Sequence, residues 1–202
     1  TSYLAWIVPL SCTQAAGFAG GAAGANLARD IEQGWFDRLL TSPVPRPVLL
    51  LGPILAAMTR ALVPTTAILL LGVALGAGLP GGVAGVLLLY VAGLWFCICM
   101  SLWGSLLALR ARTQQVGPLI QNGVFIFVFL STAYTPLGML HGWLGVIAEI
   151  NPVTQVLTMA RQATVEGIEP SWANTWPGLV ALIGMTLVLG GLALRELRRI
   201  GR

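Results

Sequence analysis

The chain predicts an all-α integral membrane protein that crosses the bilayer five times. Of its 202 residues, 56% are hydrophobic and only 9% charged, whereas a water-soluble domain carries about 25% charged residues. Mean hydropathy is +0.84, and several runs approach or exceed the ~20 apolar residues that a spanning helix requires. These runs lack the regular alternation of membrane β-strands, and helices and closed barrels are the backbone arrangements that satisfy their own hydrogen bonds in lipid.

The first expected span runs from Tyr3 to about Leu27. It is small and rather polar, holding Pro9, Gln14 and Asn26 with Gly17, Gly20, Gly21 and Gly24. Gly17/Gly21 and Gly20/Gly24 have the G-x-x-x-G spacing that lets helix backbones approach closely; a flexible, lumen-lining segment is the other reading. From Ala28 to Pro43 follows the densest charged stretch between apolar runs. Ile31, Trp35, Phe36, Leu39 and Leu40 recur in it at helical spacing, which reads as a short amphipathic helix ended by Pro43, Pro45 and Pro47. Its apolar stripe can lie on lipid or membrane helices, leaving Asp30, Glu32, Gln33, Asp37 and Arg38 for water or a soluble partner.

Val48 to Leu79 exceeds one simple span and is divided by Arg60, so a span is expected from Ala61 to Leu79. Arg60 then snorkels at the near interface, or else lines a translocation path. Leu79-Pro80-Gly81-Gly82 is a turn by composition. Val83 to Leu109 forms the most hydrophobic span, and Val116 to about Ser131 another, carrying the adjacent amides Gln121 and Asn122. Amides in lipid are costly unless paired, so these bond a neighbouring helix or line a substrate path.

Thr132 to Trp172 breaks the pattern: glycines, prolines and dispersed Glu149, Arg161, Glu166 and Glu169 separate short apolar pieces. We expect broken or interfacial helices at the membrane surface, followed by a last span from Trp176 to Leu194 with Trp172 and Trp176 as interfacial anchors. His141, the only histidine, lies in this segment and reads as a surface residue.

The residues weigh against several functions, with a secondary transporter kept as the less favoured alternative to an ATP-driven exporter. The chain has no lysine, hence no Walker A loop; if ATP drives it, another chain hydrolyses the nucleotide. The arginines are scattered at span ends and do not form a basic face, so nucleic-acid binding is not indicated. Cys12, Cys97 and Cys99 lie within apolar runs without partner histidines and read as small buried hydrophobes, with no metal site or disulfide framework. A lipid-modifying enzyme would need convergent catalytic groups, and none appears; a secondary transporter would show inverted repeats and central ionisable residues.

Orientation follows from the arginines. With five spans, one side receives Arg29, Arg38, Arg46, Arg110, Arg112, Arg195, Arg198, Arg199 and Arg202, and the other only Arg161. The positive-inside rule makes the first side cytoplasmic, with the C-terminus there and residue 1 outside. One further amino-terminal span would bring both termini inside and the total to six.

Two segments resemble a known family. Ala28-Arg-Asp-Ile-Glu-Gln-Gly-Trp-Phe-Asp-Arg-Leu-Leu-Thr-Ser-Pro43 with Arg46, and Asn151-Pro-Val-Thr-Gln-Val-Leu-Thr-Met-Ala-Arg161, are similar to the charged loop and the Asn-Pro to Arg segment of type-2 ABC exporter permeases, the daunorubicin-resistance-like branch in particular. Trp35-Phe36 after Gly34, and Pro53 in place of a basic residue, depart from its pattern.

The resemblance implies a single permease domain over residues 1–202, with residues 29–42 a cytoplasmic coupling helix docked on an ATP-binding subunit. Residues 132–172 become re-entrant extracellular helices. ATP and Mg belong to that partner subunit, and this chain carries no cofactor. A second permease chain, identical or related, completes the complex in a bacterial cytoplasmic membrane. Arg29, Asp30, Glu32, Gln33, Trp35, Phe36, Asp37 and Arg38 are the expected ATPase-subunit contacts, and Phe18, Asn26, Gln121, Asn122 and Phe125 the expected substrate path. The cargo implied is a hydrophobic or amphiphilic drug or lipid, with polysaccharide or lipid-linked glycan export as the alternative.

Overall fold

A computed structural model describes residues 3–41, 45–139 and 142–200. Every regular element among them is helical: α1 (Tyr3–Glu32), α2 (Trp35–Leu40), α3 (Arg46–Ala74), α4 (Gly82–Ala111), α5 (Gly117–Phe129), α6 (Trp143–Ile150), α7 (Pro152–Arg161) and α8 (Trp172–Ile200), with single 3-10 turns at Gln114–Val116 and Leu137–Met139. Three described helices combine the length and hydropathy needed to cross a membrane: Pro47–Ala74, Gly82–Ala111 and Trp172–Arg199.

The G-x-x-x-G spacing of α1 is used for close packing within the chain. A Cβ on Gly20 would stand 2.3 Å from the Cys97 carbonyl oxygen, and one on Gly24 would stand 2.3 Å from Gly104 Cα. Only hydrogen at those positions lets the two backbones meet. Ser101 Oγ, at the same seam, donates to the Gly20 carbonyl at 3.2 Å. One turn away, Gly17 and Gly21 lie against Phe96, Val124 and Gln121 and so seat α5. α3 packs on both α1 and α4, α8 packs on α4 and α7, and all three cysteines are buried and unbridged.

Three boundaries differ from the sequence reading. α1 does not stop at Leu27; it continues to Glu32 and absorbs the first half of the charged stretch. That stretch is two pieces, because Gly34 adopts φ 75°, ψ 5°, a left-handed conformation that ends α1 and starts α2 in a new direction. α3 runs unbroken through Arg60 and ends at Ala74. Arg60 does not interrupt it, because an arginine has good helix propensity and its Nε bonds the Ala56 carbonyl one turn back, at 3.2 Å.

The expected span from Val116 to Ser131 is a helix of 13 residues, about 20 Å long, too short to cross a ~30 Å hydrocarbon core by itself. The Thr132 to Trp172 segment is broken as expected. Asn151 ends α6 and starts α7: its side chain accepts from Val153 N and donates to the Phe127 carbonyl, both at 2.9 Å, while Pro152 occupies the first turn, where no amide hydrogen is needed. His141 and the Ser42-Pro43 end of the charged stretch lie outside the described residues.

The bundle has two distinct ends. At one, Arg110 and Arg199 converge on Glu196 at 3.0 and 3.4 Å. At the other, Gly81 N bonds the Ala163 carbonyl and Thr164 Oγ1 donates to the Ala5 carbonyl at 2.6 Å. The α1–α4 contact leaves no room for a side chain. Gly24→Val is expected to lower stability by about 2 kcal/mol or more, as overpacking does, whereas Ala22→Val on the half-exposed side of α1 changes it little; thermal unfolding in detergent compares them.

Candidate functional site

Two regions carry the sequence-derived candidates, and the fold treats their members unequally. At the arginine-rich end, Arg29 and Asp30 are exposed on the last turn of α1, and Gln33 is exposed in the turn. Glu32 is exposed but engaged: its carboxylate accepts from Gln114 N at 2.6 Å, tying the end of α1 to the α4–α5 connection. α2 presents Trp35, 59% exposed, with the Arg38 guanidinium 5.2 Å from its ring centroid, and Asp37 beside them.

Phe36 departs from the expectation. It is 1% exposed and packs with Leu27, Leu50, Ile54, Leu106 and Val116. The turn at Gly34 sets the direction of α2, and the ~100° between successive helical residues then puts Phe36 into the bundle and leaves Trp35 outward. Phe36 is therefore a core residue and cannot touch a partner subunit.

The second region is the face of α1 that neither α3 nor α4 covers. Ser11, Ala15, Ala22 and Asn26 form one stripe by helical spacing and are half-buried or exposed. It contrasts with the outer faces of α3 and α8, where Leu51, Leu55, Val63, Leu70, Val180, Ile183, Leu187 and Val188 are exposed, as lipid contact requires. On one side of the stripe stands α5. Gln121 Nε2 donates to the Phe18 carbonyl at 3.5 Å, while Gln121 Oε1 is buried without a protein partner. Asn122 and Phe125 are exposed on the outer face of α5, and Phe125 stacks on Phe129 with centroids 5.7 Å apart. The fold thus joins Phe18 to Gln121, places Asn122 and Phe125 on the adjoining face, and leaves Asn26 nearer the arginine-rich end.

Two arginines were undervalued by pattern alone. Arg161, 1% exposed, ends α7 among α1 and the Thr132 turn. Its Nη1 donates to Thr132 Oγ1 at 3.2 Å, its Nη2 donates to the Thr132 and Ala133 carbonyls at 2.6 and 3.0 Å, and its guanidinium lies 3.5 Å from the Trp6 ring centroid. Burial pushes it well below its ordinary value, to about 9, so it stays charged at pH 7. Carbonyl dipoles and the ring face stabilise this cation in the absence of any carboxylate among the described residues.

Arg60 is the other. Its neighbours Ala57 and Ala61 pack with Cys97, and Met58 shares an apolar groove with Ile98 and Thr186. Ile98 precedes Arg110 by 12 residues and Thr186 precedes Arg195 by 9, placing this level about 14 to 18 Å from the charged end, half of a ~30 Å hydrocarbon core. A charge held there in lipid costs about 3 kcal/mol.

Comparison with known sequences decides the family, since residues 5–165 match the ABC-2 type transporter family. The chain belongs to it. Among relatives, the daunorubicin resistance ABC transporter permease protein DrrB1 of Streptomyces coeruleorubidus is 26% identical over 199 residues, covering 97% of this chain and 69% of that protein. The probable multidrug ABC transporter permease YbhR of Escherichia coli K12 is 27% identical over 181 residues, covering 86% of this chain and 46% of that protein. This chain therefore spans about two thirds of the one and less than half of the other. It is a multi-pass membrane permease, and membership implies an ATP-binding partner chain.

The buried permease residue Arg161 offers a direct test. Arg161→Met leaves two backbone carbonyls and the Thr132 hydroxyl without their donor, so a stability loss of about 3 kcal/mol is expected. Limited proteolysis in detergent should then cleave first between residues 131 and 142. An unchanged cleavage pattern would refute the anchoring role.

Proposed function

We propose that this permease is the membrane subunit of an ATP-driven exporter of hydrophobic or amphiphilic compounds, in keeping with the drug-related names of its relatives. The observation that carries this reading is the pairing of two surfaces on one helix. α1 bears the open polar stripe along its length and ends in the charged turn that projects α2 with Trp35 outward. A push received at α2 reaches α1 through their shared core, because Phe36 packs α2 into the same cluster that seats α1, α3 and α4.

In this reading the five crossings are α1, α3, α4, α5 with its 3-10 lead-in, and α8. α6 and α7 dip into the outer side as re-entrant helices and complete the short α5. Residues 29–42 form the coupling segment, in two pieces hinged at Gly34, and the arginine-rich end faces the cytoplasm of a bacterial cell. A second permease chain, the same or related, closes the open α1–α5 face into a pathway that includes Phe18, Asn26, Gln121, Asn122 and Phe125.

Arg29, Asp30, Gln33, Trp35, Asp37 and Arg38 make the contact with the ATP-binding subunit, and Trp35 is its centre, as exposed aromatics are at protein interfaces. Glu32 supports the contact from behind, through Gln114. The single domain covers residues 1–202, and ATP and Mg act in the partner.

Trp35→Ala is expected to weaken co-purification of the ATP-binding subunit at least ~10-fold and to abolish ATP-dependent efflux, with thermal stability unchanged. Phe36→Ala is expected to lower thermal stability by about 3 kcal/mol. Unchanged subunit association in Trp35→Ala, with efflux intact, would overturn the coupling assignment and favour a plain interfacial anchor for α2.

A further inference from the structure

Resting on the exporter reading, we propose that Arg60 is a cargo-binding residue at mid-depth of the pathway, and that it recognises an oxyanion, a carboxylate or phosphate, on an amphiphilic substrate. Three observations converge on it.

The first is depth. α3 is continuous from Arg46 to Ala74, and Pro47–Ala74 is apolar enough to cross. Arg60 stands 13 residues from Pro47 and 14 from Ala74, about 20 Å from either end. A guanidinium side chain cannot snorkel that far. Interfacial anchoring, the simple reading of an arginine beside an apolar run, therefore does not apply.

The second is direction. Ala57 and Ala61 face Ala16, Ala23 and Cys97, while Leu51, Leu55 and Met58 line the groove shared with α8. At about 100° per residue, Arg60 lies ~60° from Ala57, on the side opposite Leu51 and Leu55. It thus lies opposite the groove shared with α8, between Ala57 on the α1 side and exposed Val63 on the outer side, each ~60° away, and borders the side on which α1 leaves Ser11, Ala15, Ala22 and Asn26 uncovered. Leu4 and Phe18 lie on the same stripe, and with Ser11, Ala15, Ala22 and Asn26 they make it smaller and more polar than the outer faces of α3 and α8. The arginine borders this face.

The third is hydrogen-bonding capacity. Arg60 is exposed, and Nε is spent on the Ala56 carbonyl. This bond fixes the plane of the guanidinium and leaves four N–H donors on the two terminal nitrogens. No ion pair among the described residues involves it. A fork of donors held by its own helix matches a carboxylate or phosphate in bidentate fashion, and charged groups within membrane spans mark substrate or ion pathways. The shared chemistry is the oxyanion. Its source is either an acidic small molecule or the headgroup of an acidic lipid.

The test uses the permease with its ATP-binding subunit. Carboxyfluorescein and a fluorescent phosphatidic acid supply the two oxyanions, and rhodamine 123 supplies the same ring system as carboxyfluorescein with a positive charge. Binding is read by fluorescence anisotropy in detergent and transport by ATP-dependent uptake into inverted vesicles. Arg60→Gln should weaken binding and uptake of at least one oxyanion probe ~10-fold or more and leave rhodamine 123 unaffected. Arg60→Lys, which keeps the charge and loses the fork, should fall between. Loss confined to carboxyfluorescein assigns an acidic small molecule, and loss confined to the phosphatidic acid assigns a lipid.

Equal behaviour of parent and Arg60→Gln toward both oxyanions would overturn the proposal. So would an equal loss for all three probes, which marks a structural role. Arg60-dependent binding without ATP-driven uptake in the parent would uphold the site and overturn the exporter reading instead.

Discussion

The arrangement depends on one contact, the approach of the α1 backbone to α4 at Gly20 and Gly24, where hydrogen is the only substituent that fits. Within a bilayer, apolar surface gains little by leaving lipid for another helix, so close van der Waals contact and interhelical hydrogen bonds supply the attraction. The Ser101 bond to the Gly20 carbonyl at 3.2 Å adds the second of these. Once this seam is set, the direction of every other face of α1 follows. Gly17 and Gly21 receive α5, Ala16 and Ala23 receive α3, and the remaining stripe is left without a cover. The polar character of that stripe is thus tied to the glycines that face the other way.

The arginines divide by environment into three kinds. At span ends, Arg110 and Arg199 pair with Glu196 and Arg38 stacks on Trp35. Arg161 is buried and stabilised by carbonyl dipoles and the Trp6 ring, so it organises the outer loop. Arg60 sits at half depth on an open face with its donors free to bind, a position whose cost in lipid is about 3 kcal/mol and which water or an acceptor offsets. One residue type therefore occupies three environments, and burial distinguishes them.

α2 divides two roles between neighbouring aromatics. Gly34 breaks the helix with a left-handed residue, and the chain restarts with Phe36 inward and Trp35 outward. The buried ring makes α2 move with the bundle, while the exposed one offers a partner an aromatic hold backed by Arg38. Glu32 adds a second tie at the same end through Gln114 N.

Much of this was legible in the residue order. Composition alone identified a helical membrane protein, and the G-x-x-x-G spacing identified a close-packed helix, because both signals are local and periodic. The Asn151-Pro152 junction and the fragmentation after Thr132 were equally readable, since caps and prolines act within a turn of themselves. Arg60 shows the limit: a charge in an apolar run suggests a span boundary, yet α3 continues through it. Phe36 shows the same limit, for helical spacing puts both Trp35 and Phe36 on the apolar stripe, yet packing of α2 buries Phe36 and leaves Trp35 exposed. The sequence by itself determined which segments are apolar, which are charged and where the backbone cannot be helical. Tertiary structure alone decided which side of each helix is covered and at what depth each charge lies, because those depend on partners up to 159 residues away, as between Ala5 and Thr164.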